Sequence, residues 1–214
     1  MTAEFFTALT DFLLAALCVV FARSFARHGN RWRLRGPLIL FAGFALAAFA
    51  GGIWHGFFSA RQDLAQAIVW WFSMLFTGVT AAGLALTGLE LLGVTRARLA
   101  VISILVLLVL YAVLSWIDQR FLISLLATVV GTLLCVAGLI RNARVPGSMQ
   151  VLAGLGVSVI AAIAQQRGVA IDPGRFDHNA TYHLLLLPAL WLIFAGLRRL
   201  SAERPAVALH QAIP

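Results

Sequence analysis

Lysine is absent from this chain, and acidic residues number only eight. A retinal-type chromophore needs a lysine amine for its Schiff base, so that class of many-helix protein is excluded. Two cysteines, Cys18 and Cys135, are too few for a disulfide framework. Both fall inside long apolar runs, where they read as small packing residues. Charged residues make up only 11% of the 214, far below what a soluble domain of this size displays. There is no internal repeat, no low-complexity segment and no polar stretch long enough to enclose a second core.

What remains is apolar: 62% of residues are hydrophobic and the mean hydropathy is +0.95. A membrane-spanning helix needs about 20 predominantly apolar residues. Seven stretches approach that length: Phe5–Phe25, Pro37–Phe58, Leu64–Leu92, Leu99–Ile117, Phe121–Ile140, Met149–Ala164 and Ala180–Leu197. A transmembrane β-barrel would alternate apolar and polar positions, whereas these runs are continuous. The expected architecture is therefore an all-α membrane protein, a single seven-helix bundle over residues 1–200 with a short cytoplasmic tail over 201–214.

The net charge of +8 has a topogenic explanation that needs no nucleic acid. All sixteen basic residues are Arg. Twelve of them (at 23, 27, 31, 33, 35, 96, 98, 141, 144, 198, 199 and 204) fall on one side of the expected spans, and Arg61, Arg120, Arg167 and Arg175 fall on the other. The positive-inside rule then places the amino terminus outside and the carboxyl terminus in the cytoplasm. The same arginines would attract anionic headgroups of membrane lipids. Glu4 and Asp11 stand where a signal peptide would carry positive charge, so the first span is not read as cleavable. The richness in Ala, Gly, Leu and Arg without Lys suggests a bacterial inner membrane.

Small residues mark the helices expected at the centre. Span two carries Gly43, Ala47, Ala48, Ala50, Gly51 and Gly52, and span six carries Ala153, Gly154, Gly156 and Ser158. Such residues let helices approach closely in lipid. Pro37 suits a first helical turn. Pro188 is expected to kink span seven. Glu90 is expected to pair with Arg96 or Arg98, and Asp172-Pro173-Gly174 to form a turn that aims the chain into span seven.

Ionisable groups at membrane depth mark sites more often than not. His55, in GGIWHGF, closes span two, and Asp177-His178-Asn179-Ala180-Thr181-Tyr182-His183 opens span seven. The topology above brings both to the outer side. Asn179 and His183, four apart, share a helix face. His178 and His183 lie roughly 140° apart on an ideal helix, so they converge only if His178 precedes the helix. Zinc prefers imidazole nitrogen and keeps one position open for water in catalytic sites. His55, His178 and His183 are accordingly the expected metal ligands. Asp63 or Asp177 would orient a ligand or act as general base, with Ser59 hydrogen-bonding the metal-bound water.

Seven spans with an external amino terminus, His55 at the end of span two, Asp63 at the head of span three and His183 in the opening of span seven resemble the CREST superfamily, which includes alkaline ceramidases and progestin/adipoQ-type receptors. The resemblance implies an intramembrane zinc amidohydrolase. Where that family has HxxxH in span seven, this chain has Asn179-xxx-His183 with His178 one residue early, and Gly51 stands where the family has Ser. The chain also resembles small bacterial membrane families of unknown function whose last helix opens with HN-xxx-H. The expected function is zinc-dependent hydrolysis of a lipid-like amide or ester that enters sideways from the bilayer. The alternative is a non-catalytic membrane protein (a transporter, haem-binding protein or sensor/assembly factor) that uses the histidines as a polar network.

Overall fold

The computed structural model describes residues 2–27, 35–94 and 98–210, apart from the side chains of residues 98, 100, 101, 121 and 203–210. The described residues are helical with no strand. The helices are α1 (Ala3–Arg27), α2 (Gly36–Ile53), α3 (Leu64–Leu92), α4 (Arg98–Ile117), α5 (Phe121–Arg141), α6 (Ser148–Gln166) and α7 (His178–His210). Six are long and apolar enough to cross a membrane, as in a multi-pass membrane protein. The apolar part of α4, Ile102–Ile117, is shorter than the rest.

Residues α1, α2 and α7 share an aromatic core. Phe21 on α1 stacks on Phe194 of α7 with centroids 4.0 Å apart, and the Phe41 ring of α2 meets Phe21 edge-on at 5.3 Å. On its other side α2 lies against α3 so closely that a Cβ on Gly83 would strike the Leu40 backbone. A Cβ on Gly88 would likewise strike the backbone of Leu134 on α5. Packing of backbone against backbone is what small residues permit in a solvent that offers helices no hydrophobic drive to associate.

Helix ends are satisfied by side chains from distant segments. Glu90, near the end of α3, accepts the backbone N–H of Arg35 on one carboxylate oxygen (2.8 Å) and that of Gly36 on the other (3.0 Å), so it caps α2. The amino end of a helix carries unpaired N–H groups and partial positive charge, which a carboxylate complements. The expected partner Arg96, and the side chain of Arg98, lie outside the described residues. Pro37 occupies the first turn of α2, as expected. Asp63 caps α3 by accepting the Gln66 N–H at 2.9 Å, and Gly93 closes that helix at φ +80°.

At the edges, α4 is tied to the bundle by polar clamps. Tyr111 donates to the Met74 carbonyl at 2.6 Å, Trp71 to Ala112 at 3.1 Å, and Trp70 to Gln119 at 2.9 Å. Helix α6 also lies at the edge, not at the centre as its small residues suggest. Gly154 faces α7, where a Cβ would meet the Ala189 carbonyl oxygen at 2.7 Å, while Gly156 has open space beside it. Its neighbour in sequence, α5, barely touches it. The helix assignment of α7 is continuous through Pro188 and runs to His210, where a tail from 201 was expected.

Candidate functional site

Helix α1 carries a polar stripe on an otherwise apolar cylinder. Glu4, Thr7 and Asp11 follow at spacings of three and four, which keeps them on one face, with Thr10 beside them. Thr7, Thr10 and Asp11 are all buried. They face the first two turns of α7 and the end of α2.

His183 is the centre of this contact and is itself buried. Its Nδ1 lies 3.0 Å from the Thr10 hydroxyl oxygen, and its Nε2 lies 3.4 Å from Asp11 Oδ1. The protons can be assigned from the network. Thr10 donates its hydroxyl hydrogen to the Thr7 carbonyl at 2.8 Å, so its oxygen accepts from the ring and Nδ1 carries the hydrogen. The contact between Nε2 and Oδ1, longer than an ordinary hydrogen bond, is then bridged by a single proton. Whether that proton resides on the carboxyl or on the ring, the pair is electrically neutral overall, which is the state a low-dielectric interior favours.

Asp11 has a second oxygen, Oδ2, that is buried and without a hydrogen-bond partner among the described residues. It sits against Gly51, where a Cβ would stand only 3.1 Å away. The missing side chain at Gly51 thus makes room for the carboxyl group. Buried polar atoms are nearly always paired, so this one identifies a place where a partner is wanting.

The remaining candidates have other roles. The chain leaves α2 through a single π-helical turn, Trp54–Phe58, a local widening often found at functional sites. His55 lies in that turn, its Nδ1 2.7 Å from Glu4 Oε2, with its ring edge-on to Trp54. Ser59 donates to the His55 carbonyl at 3.2 Å. Asp177 is the amino-terminal cap of α7: one oxygen accepts the N–H groups of Asn179 and Ala180 at 3.0 and 2.9 Å and the Thr7 hydroxyl at 3.0 Å. Asn179 accepts from Gln165 of α6 at 2.9 Å. His178 is already in the helix and exposed, so it stays on a different side from His183. Asp63 is exposed and engaged with Arg61 and the Gln66 N–H, which together hold its carboxyl below the usual aspartate range.

These placements bear on the expected zinc centre. Among the described residues, no group of three His, Cys, Asp or Glu side chains stands where one ion could be held. The reason lies in the partners. Nδ1 of His55 is taken by Glu4, both ring nitrogens of His183 face α1, and the capping of α7 by Asp177 turns His178 outward. As placed, these side chains do not form a zinc-binding set.

A cavity of about 370 Å³ opens beside the Asp11–His183 pair, between α2, α3, α5, α6 and α7. Its wall is mainly aliphatic, with Leu40, Leu84, Leu155, Leu186 and Leu190 among the lining side chains. Val129 and Leu133 of α5 and Val159 of α6 line it and are also exposed on the outside of the bundle. The cavity therefore reaches the lateral surface through the gap between α5 and α6.

The family model that matches this chain spans residues 6–202, from the first turns of α1 to the apolar end of α7. The chain belongs to DUF6962, a family of unknown function. No curated protein and no solved structure matches it. The matched region takes in every residue of the cavity wall and of the Asp11–His183–Thr10 cluster, and leaves out only Glu4 among the residues described above.

In the sequence Asp11 reads as part of the entrance to span one and does not stand out as a site residue. Its position is the signal that could have found it. Eight residues into α1, at about 1.5 Å per residue, it lies roughly 12 Å along the helix axis from Ala3. A carboxyl group so deep in an apolar helix needs a partner.

Proposed function

We propose that this protein takes a lipid-like molecule from the bilayer through the gap between α5 and α6 and holds it with its polar end at Asp11 and His183. In this reading the chain is a seven-span bundle of a bacterial inner membrane with its amino terminus outside, as the arginine distribution favours. The observation that carries the proposal is the aliphatic cavity, laterally open, with the Asp11 carboxyl group and the His183 imidazole in its wall. Ligand pockets combine an apolar wall with a few convergent polar groups, as this cavity does. Small residues on α2 (Ala47 and Ala48) keep the wall low.

The chemistry open to the pair is proton exchange, the general acid–base step of amide or ester hydrolysis. That second reading is favoured by an imidazole and a carboxyl sharing one proton on the wall of the cavity. Asp11 and His183 would carry the step, with Asp63, Asp177 and Ser59 in structural roles.

Uptake is tested with a photoreactive alkyl-chain lipid presented to the protein in lipid nanodiscs. Cross-links are expected on Val129, Leu133 and Val159, and Val159→Trp is expected to suppress them while leaving the thermal unfolding temperature unchanged. Labelling spread evenly over the outer faces of α4 and α5, and insensitive to Val159→Trp, would refute lateral uptake.

A further inference from the structure

Most hydroxyl oxygens in the wall of the cavity are left as hydrogen-bond acceptors, and its donors include the Gln165 and Gln166 amides and the Thr132 and Tyr182 hydroxyls. Five of its six Ser and Thr hydroxyls have given their hydrogen to a backbone carbonyl: Ser73 to Ala47, Thr77 to Ser73, Thr80 to Phe76, Thr128 to Ser124 and Ser158 to Gly154, at 2.8 to 3.2 Å. Each oxygen keeps lone pairs that only a donor can use. Gln165 spends one amide hydrogen on Asn179, which leaves its carbonyl oxygen as an acceptor and its second amide hydrogen as a donor. The ionisable side chains in the wall are Asp11, His183 and Tyr182, and no arginine is among them. A carboxylate or phosphate head would meet the Asp11 carboxyl group in this wall and find no arginine there to receive it.

On the reading that the cavity takes up a lipid-like molecule, we infer that its occupant carries a primary amine head, bound as the ammonium ion against the Asp11 carboxyl group in the cavity wall. Asp11 is only 4% exposed, so the interaction would be formed away from water. An ammonium group has three donors and no acceptor, and the Asp11 carboxylate and the hydroxyl oxygens of this wall can accept them. Charge-assisted hydrogen bonds are about twice as strong as neutral ones, so a carboxylate is the preferred anchor over the hydroxyls.

Charge balance adds a requirement. The empty pair holds one bridging proton and is neutral. An arriving ammonium adds one positive charge, and neutrality returns when that bridging proton leaves for solvent, so that Asp11 faces the ligand as carboxylate and His183 stays neutral with its hydrogen on Nδ1. No covalent bond forms or breaks apart from this proton transfer. The other titratable groups around the pair are Tyr182 and Asp177 on α7, Glu4 on α1 and His55 in the π-helical turn. Glu4 is engaged with His55 and Asp177 caps α7, so Asp11 is the carboxyl left to answer the ligand's charge.

The experiment is equilibrium binding of radiolabelled dodecylamine, dodecanol and dodecanoate to the full chain in phosphatidylcholine nanodiscs, with empty nanodiscs as the blank. Dodecylamine is expected to bind about tenfold more tightly than dodecanol, with no saturable binding of dodecanoate and with amine affinity falling as pH is lowered. Asp11→Asn should erase the preference of amine over alcohol. Thr128→Val, which removes one acceptor and no charge, should narrow it by a few-fold. Dodecanol binding as tightly as dodecylamine, or Asp11→Asn retaining the amine preference, would overturn the amine assignment while leaving lateral uptake in place. Absence of saturable binding by all three chains would overturn both.

Discussion

Oδ1 of Asp11 and Nε2 of His183 face each other at 3.4 Å across the contact between the first and last helices of the bundle. Removing one member of a buried pair leaves the other uncompensated, which typically costs about 3–5 kcal/mol. Asp11→Leu and His183→Leu are each expected to lower stability strongly. The double substitution should be less destabilising than the sum of the two, with a coupling of about 1–3 kcal/mol. A double-mutant cycle on thermal unfolding in detergent measures this, and strict additivity would show that the two side chains do not interact.

Asp177 acts on the start of α7, not on a ligand. Asp177→Ala removes the acceptor for two backbone N–H groups and should cost about 1 kcal/mol. Asp177→Asn keeps a capping oxygen and should lose much less. Both variants are expected to bind the alkyl probes as the parent does. Lost binding in Asp177→Asn with an unchanged melting temperature would instead make Asp177 part of the site.

Glu90 joins the end of α3 to the beginning of α2 through two backbone donors. Glu90→Ala leaves those N–H groups buried without their acceptor, and a loss of about 2 kcal/mol is expected. Glu90→Gln keeps one acceptor oxygen and should fall between. Unfolding curves of the three proteins check the order, and equal stability of all three would deny the cap any role.

Asp63 provides a pH signature. Its carboxyl is held below the ordinary value of 3.8, first by the Gln66 backbone N–H and then by Arg61. A depressed folded-state value means that the carboxylate's contribution is complete above 3.8 and disappears as pH falls below it through the folded value. Asp63→Asn should therefore be less stable than the parent at neutral pH, and the difference should close below pH 3.8. A difference that persists unchanged into acid would assign the effect to lost packing.

Much of the site was within reach of the sequence, and particular residues show where reading along the chain stops. His183 and His55 were singled out because an imidazole among apolar residues is conspicuous. Asp11 is equally apolar in its surroundings, but so near the start of span one a carboxylate also reads as a sign against a signal peptide. The proposed convergence of His178 with His183 turned on whether helix α7 begins before or after His178. Asp177 decides that locally by capping the helix one residue earlier. Glu90 could not be matched to the N–H groups of Arg35 and Gly36 from sequence, because nothing in the chain says which helix end arrives beside it.

By itself the sequence determined the apolar helices and their approximate limits, because transfer of side chains into an apolar medium adds up residue by residue along one segment. The tertiary structure alone decided which polar side chains became partners. Helix rotation and depth are set by close contacts between segments far apart in the chain, such as Gly83 on Leu40 and Gly88 on Leu134. In α1 and α7 the rotation so set turns the stripe of Thr7, Thr10 and Asp11 toward His183. A displacement of one residue in either helix would move each side chain by about 100° and dissolve the cluster without altering the composition.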